Sequence, residues 1–412
     1  MFIKLALKSL FNRKGSVALT LLAMVVSIFV LLGVEHIRHQ AKESFGNTVS
    51  GVDLIVGART GSLNLLLYSV FRIGSPTNNL SWQSYEDITS NANIDWAIPI
   101  SLGDSHKGYR VMGTSREYFK YFSYGAQRSL KFSQGAAFNN LFDLVLGSQV
   151  AQQLGYKLGD TLVLSHGIAA TSFSTHDDKP FTVVGILEPT GTPVDQTLHV
   201  SLQGIEAIHI DWQQGVKIPG RSTSEQQLQQ LDLTPKSITA FMVGLESKMT
   251  TFTIQRSINQ YSSEPLMAIL PGVALSELWQ MMSMIENILR LISALVFIAA
   301  LLGLSALLLV SIRERQQEIN LLRSIGASPT FIFILIELEA LLITLVATGV
   351  ALIILCGTIF SLQDILATQF GLFISANIFY PSTFVVMAAI FSGSFIACCI
   401  PASAAFLKAQ QK

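Results

Sequence analysis

The sequence predicts a membrane protein with four transmembrane α-helices, one plus three. A large α+β extracytoplasmic domain lies between the first and second, carried on helical stalks. Three observations predict this. Charged residues make up only 13% of the 412 residues, about half the ~25% of soluble proteins. Four uncharged apolar stretches are long enough to cross a bilayer core of ~30 Å, which needs about 20 helical residues. Between the first two of them, residues 38–284 have the mixed composition of a folded domain.

Composition also excludes several classes. Half the residues are hydrophobic and the mean hydropathy is positive, which excludes a disordered chain and most ordinary cytosolic enzymes. The 27 Lys+Arg and 27 Asp+Glu cancel, so net charge drives no nucleic-acid binding. Cys356, Cys398 and Cys399 all fall in apolar runs, so the polar part has no disulfide framework.

Residues 1–16 carry Lys4, Lys8, Arg13 and Lys14 and no acid, with Phe2, Ile3, Ala6, Leu7, Leu10 and Phe11 on one half of a helical wheel. Such a helix lies along the inner leaflet. The first span, 17–37, is uncharged from Val17 to Val34, longer than a signal-peptide core, and no small-x-small cleavage site follows it. The extracytoplasmic segment 38–284 alternates strand-like runs with helical patterns. The runs are VDLIVG (52–57), FDLVLG (142–147), TLVLSH (161–166), FTVVGIL (181–187) and ITAFMVGL (238–245). The helical patterns are WQSYEDI, REYFKYF, SQVAQQLG, LQGIEAIHI and TFTIQRSINQY; two subdomains are expected.

Leu275, Leu278, Met282, Ile285 and Leu289 follow a three-four spacing that continues through Ile292 and Val296. This heptad seam marks residues 285–312 as a stalk running into the second span. The seam suits either a dimer contact or a stripe buried against the chain's own outer domain. A cytoplasmic connection, 313–330, leads to the third span (331–360), a short outer loop (361–380), the fourth span (381–406) and a tail (407–412). Basic residues fix the orientation. Arg313, Arg315 and Arg323 lie in the 313–330 connection and Lys408 and Lys412 in the tail, whereas 361–380 contains Asp364 and no Lys or Arg. Both termini are therefore expected in the cytoplasm.

Catalytic patterns are absent from the sequence. GVKIPGRS (215–222) departs from the phosphate-cradling loop by Arg221 in place of lysine, by Pro219, and by the lack of a preceding strand. All seven histidines fall between Glu35 and Asp211. His166, His176 and His199, with Asp177 and Asp178, could gather around a metal ion. No spacing among them matches a known ligand pattern, hydrogen-bonding histidines are commoner, and no metal site is assigned. Glu337 and Glu339, at the start of the third span, read as carboxylates at the headgroup level rather than a proton relay.

The stretch RERQQEINLLRSIGASPTFIFILIELEALLI (313–343) resembles the signature of FtsX/MacB/LolC-type permeases of ABC transporters. The matching residues are Arg315, Glu318, Ile319, Leu321, Leu322, Arg323, Gly326, Ala327 and the Leu338-Glu339-Ala340-Leu341-Leu342 run, while Asn320 replaces a frequent glycine. LALKSLFNRKGSVALTLLAM is similar to the family's opening helix and first span. LGSQVAQQLGYKLGDTLVL and GTPVDQTLHVSL are similar to a MacB-like periplasmic core. The tail PASAAFLKAQQK stops short of the family's closing segment.

The resemblance implies a non-catalytic permease subunit in a bacterial inner membrane, paired with a second, identical or similar protomer. It implies a cytoplasmic ABC ATPase partner that binds ATP and Mg²⁺, with no cofactor in this chain and no role for nucleic acid. It further implies a periplasmic adaptor, lipoprotein or enzyme partner, served either by export and extraction or by signalling without transport. Arg315, Glu318, Ile319, Leu322, Arg323 and Gly326 are the expected ATPase-coupling residues. Arg315 and Glu318 can pair along a helix, Ile319 and Leu322 form an apolar ridge, and Gly326 ends the helix.

Overall fold

The computed structural model describes residues 10, 14–46, 48–125, 127–167, 176–213, 216–217, 223–228, 230–314, 316–317, 321, 324–370 and 377–410. The amphipathic helix expected over 1–16 and the glycine-rich stretch 215–222 fall mostly outside them. The chain forms two compact units, one from Met1–Ala41, Met282–Leu366 and Ile374–Lys412, the other from Lys42–Met281 and Ala367–Phe373.

The first unit holds four helices long and apolar enough to cross a membrane: α1 (Lys14–Gly46), the part of a later helix that follows Met281, and two more described below. Buried residues on α1 recur at helical spacing, Met24, Val25, Ile28 and Leu32, and join a single apolar core. Exposed Leu19, Leu22 and Val26 occupy its other side. That division is the one expected of a helix with a protein face and a lipid face.

The second unit is built on an eleven-stranded sheet. Its strands are β1 (Leu54–Ala58), β2 (Ile94–His106), β3 (Tyr109–Thr114), β4 (Phe132–Gly135), β5 (Asp143–Leu146), β6 (Thr161–Leu162), β7 (Ser165–His166), β8 (Phe181–Leu187), β9 (Thr197–Ser201), β10 (Ala240–Leu245) and β11 (Leu266–Ile269). The path runs β11-β1-β10-β2-β3-β9-β5-β8-β4, with β7 added to β2 and β6 to β8. Only the β3–β9 and β5–β8 pairs are parallel among the pairs of this sheet. Along β10, Ala240 and Met242 enter one core group while Phe241, Val243 and Leu245 enter another. Both faces of the sheet are therefore covered, which explains why ITAFMVGL reads as an unbroken apolar run.

Among the described residues, the short helices that pack on the sheet include α2 (Ser62–Ser69), α3 (Trp82–Thr89), α4 (Ser148–Leu154), α5 (Leu202–His209) and α6 (Thr251–Asn259), together with the single turn Glu117–Tyr121. α3, α4, α5 and α6 match sequence patterns directly, and REYFKYF forms the turn Glu117–Tyr121. Serine caps start two, Ser81 accepting from the Ser84 amide and Ser201 from the Gly204 amide.

The long helix α7 (Pro271–Glu314) spans 44 residues and belongs to both units. Beyond it come α8 (Pro329–Phe370) and α9 (Pro381–Gln410). In the membrane unit α7 buries Phe297, Ala300, Leu301, Leu304 and Leu308. Ala340, Ala347 and Ala351 on α8 are fully buried and let backbones approach closely. Hydrogen bonds cross between helices too, from the Ser305 hydroxyl to the Ala397 carbonyl at 2.8 Å and between Thr344 and Ser394 hydroxyls at 2.6 Å. Glu337 and Glu339 are buried in this unit, not displayed at its surface.

Candidate functional site

Of the expected coupling residues, Arg315, Glu318, Ile319, Leu322 and Arg323 lie outside the described residues. Gly326 is described and takes φ 102°, a left-handed conformation that a glycine adopts without strain. The turn it makes is followed by Ser328, whose hydroxyl accepts from the Phe331 amide at 3.2 Å, and by Pro329 at the first position of α8. Helix stop, turn and capped restart are thus all encoded within four residues. Leu321, between the two members of the expected ridge, and Ile325, just after it, are 62% and 77% exposed.

The stalk residues divide. Leu275 packs partly against the outer core and Leu278 is half-buried. Met282, Ile285 and Leu289 are exposed, as are Ile292 and Val296. The face of α7 that packs in the membrane unit is the neighbouring one, through Ser293, Phe297, Ala300 and Leu304.

The outer unit brings together a polar group that the sequence only half foretells. Leu162 pairs with Phe181 of β8, and the chain then crosses to β2, where Ser165 pairs with Ser105 and His166 with Asp104. The β2–β3 ladder shifts register between Leu102 and Ser105, an irregularity of the kind that re-aims a side chain. Asp104 is buried there. The His166 Nδ1 lies 3.1 Å from Asp104 Oδ1, and the His209 Nε2, at the end of α5, lies 3.5 Å from the same oxygen. The two histidine nitrogens are 3.4 Å apart, and their rings stack with centroids 4.6 Å apart. His176 is fully buried beside them, its ring centroid 4.5 Å from that of His166 and 5.1 Å from that of His209.

Hydrogen bonds hold this frame. The His176 amide donates to the Leu164 carbonyl at 2.9 Å. Lys179 Nζ donates to Ala207 O at 2.9 Å and to Asp211 Oδ2 at 2.7 Å, and Asp211 accepts from the Thr223 amide and hydroxyl. Burial alone would raise the Asp104 carboxyl, but the His166 and His209 rings beside it outweigh burial and hold the group well below the usual carboxylate range. Burial pushes His176 down to about 4, helped by repulsion from His166 and His209. His209 is raised, its interactions with Asp104 exceeding its own desolvation.

Of the histidines considered as a set from sequence, His166 and His176 meet and His199 does not. His199 is buried in a different core group, stacked on Tyr118 at 5.2 Å and close to the Arg72 cation. Asp177 and Asp178 are exposed. Asp104 and His209 were the missing members. No local spacing announces them, because the register shift in β2 at Asp104 and the end of α5 are what deliver them.

Residues 17–261 match the profile of the MacB-like periplasmic core domain, and residues 290–408 match that of the FtsX-like permease C-terminal region. No curated protein matches the sequence. Among solved structures, the periplasmic region of MacB from Actinobacillus actinomycetemcomitans is similar, at 11% identity, over 56% of this chain and 94% of that one, with a TM-score of 0.35. The extracellular domain of the noncanonic ABC-type transporter YknZ from Gram-positive bacteria is similar at 9% identity, over 53% of this chain and 98% of that one, with a TM-score of 0.31.

Proposed function

This chain belongs to the family of ABC-transporter permeases that join a MacB-like periplasmic core to an FtsX-like C-terminal region, and from that membership we propose a mechanical role for it. It is a multi-pass membrane subunit of the permease type. In the proposed reading, a separate cytoplasmic ATPase binds the 313–330 connection, and two permease protomers pair in a bacterial inner membrane with their termini inside. Closure of the ATPases displaces the connection, α7 and α8 carry the displacement outward, and the outer unit moves to export or extract a substrate.

The observation that carries this reading is the connection itself. Two membrane helices, α7 and α8, are joined by the short stretch after Glu314 and before Pro329, so little else from this chain can meet an ATPase on that side. Gly326 and the Ser328 cap turn the chain back into α8 at once.

The test is to substitute Leu322→Asp and Glu318→Arg separately and measure ATPase copurification and permease-stimulated ATP hydrolysis. Either change is expected to reduce both severalfold while leaving membrane insertion intact. Full ATPase binding and full function in cells with Leu322→Asp would remove the proposed coupling helix. The class of periplasmic protein captured by in-cell crosslinking separates the two outcomes of the cycle: an adaptor or lipoprotein for export or extraction, a hydrolase for signalling.

A further inference from the structure

His106 shows what a structural histidine looks like in this fold. One ring nitrogen meets the Val163 carbonyl at 2.6 Å and the other the Tyr156 hydroxyl at 2.9 Å. His176 is more deeply buried, yet neither of its ring nitrogens has a hydrogen-bond partner among the described residues. A buried polar ring without partners costs stability unless something else satisfies it. Directly beside it, three further donor atoms converge on one point.

Their geometry is specific. Asp104 Oδ1, His166 Nδ1 and His209 Nε2 form a triangle with sides of 3.1, 3.4 and 3.5 Å. Ligands held about 2.0–2.1 Å from a tetrahedral ion stand roughly 3.3–3.4 Å apart, so the triangle has the dimensions of one tetrahedral face. A nitrogen of His176 supplies the fourth vertex, and all four ligand atoms lie within 4.8 Å of one another. We propose that Asp104, His166, His176 and His209 bind one divalent first-row transition-metal ion of the zinc type.

The donor set selects the class. Three imidazoles and one carboxylate suit Zn²⁺, Co²⁺ or Ni²⁺; Ca²⁺ and Mg²⁺ require oxygen shells, and Cu(I) favours thiolate or thioether sulfur. With four protein ligands the shell is closed, as in a structural or holding site rather than a catalytic one. The surroundings support the ligands in the usual way. The Trp212 ring covers His176 at 4.5 Å and His166 at 5.2 Å. A bound ion would tie together the β2–β7 pair, the turn beginning at His176 and the end of α5. His199 takes no part, because it lies in a different core group, stacked on Tyr118.

The experiment uses the full chain, purified without a histidine tag, stripped of metal and titrated with Zn²⁺ by calorimetry and with Co²⁺ by visible absorption. One ion per chain is expected, with the intense visible bands of tetrahedral Co²⁺. His176→Gln and His209→Gln should each weaken binding at least about tenfold, and Asp177→Asn, exposed and outside the set, should not change it. Absence of binding tighter than about 10 µM, or unchanged binding in the His176→Gln/His209→Gln double variant, overturns the proposal. If that variant fails to fold, X-ray absorption on the Zn²⁺-loaded wild-type chain decides. A shell of three imidazoles and one oxygen carries the proposal, and a shell containing sulfur or oxygen alone ends it.

Discussion

His166 stands directly opposite Asp104 across an antiparallel pair, with 3.1 Å between Nδ1 and the carboxylate oxygen. That pairing exists only because TLVLSH is two strands rather than one. Its first part, Thr161–Leu162, belongs to β8's neighbourhood, and its second, Ser165–His166, to β2's. The buried Leu162 and Leu164 anchor the crossover in the same core group. A period-two pattern shows that a segment is extended but not which partner it leaves or joins.

Lys179 and Asp211 form a buried ion pair behind the histidine group, 5% and 0% exposed in their side chains. Removing one member strands the other charge, which costs about 3–5 kcal/mol when the site cannot open to water. Asp211→Ala is expected to raise hydrogen exchange in residues 207–212 by at least a hundredfold, since Ala207 and Thr223 are bound through the same pair. The double variant Lys179→Met/Asp211→Leu should recover most of the protection. Exchange in Asp211→Ala equal to wild type would show that the pair contributes nothing.

The strands missed from sequence share a cause with the missed site residues. IDWAIPISLGDSH forms β2, the longest strand, although Asp95, Pro99, Gly103 and Asp104 interrupt any apolar alternation. Pro99 is tolerated because it sits opposite Phe241 in the ladder while its carbonyl accepts from the Thr114 hydroxyl at 2.8 Å. Tertiary pairing overrides weak local preference there. The membrane helices were legible for the opposite reason: a bilayer demands about 20 apolar residues in succession, so the requirement is written locally. The α3, α4, α5 and α6 patterns were legible too, and α3, α5 and α6 each bury one stripe at helical spacing.

His199 predicts an acid sensitivity. Burial, with the Arg72 cation adding repulsion, pushes its folded value down to about 3 from 6.5. The unfolded chain therefore binds a proton between those values that the folded chain does not, so stability is complete above about pH 6.5 and falls as pH drops toward 3. One such group contributes a slope of about 1.4 kcal/mol per pH unit across that window. His199→Phe keeps the stack on Tyr118 and should flatten the acid limb of unfolding, followed by protease resistance of the full chain between pH 6.5 and 4. An unchanged acid limb would place the sensitivity elsewhere.

Orientation has a direct test because two exposed positions are available on the expected opposite sides, Ser224 and Gln317. With Cys356, Cys398 and Cys399 replaced, Ser224→Cys should label with an impermeant thiol reagent in sealed cells, and Gln317→Cys only after permeabilisation. Labelling of Gln317→Cys from outside would reverse the arrangement that the basic flanks predict.

The stalk carries the last prediction. Met282, Ile285 and Leu289 keep a heptad spacing at 40%, 53% and 44% exposure. Met284 and Ile288, off that seam, are as exposed, at 72% and 52%, so exposure alone does not distinguish a protein contact from a lipid face. Periodicity does. A lipid face needs only apolar side chains, whereas a paired helix brings the same positions of two copies together every three and four residues. A disulfide requires Cα atoms about 4.4–6.8 Å apart, which only seam positions reach. In the cysteine-free background, single Met282→Cys, Ile285→Cys and Leu289→Cys variants should crosslink under mild oxidation severalfold more than Met284→Cys or Ile288→Cys. If the partner is a second, similar permease, the same pattern should appear only when both chains carry the cysteine. Equal crosslinking at seam and off-seam positions would mean that the stripe faces lipid and that the protomers meet elsewhere.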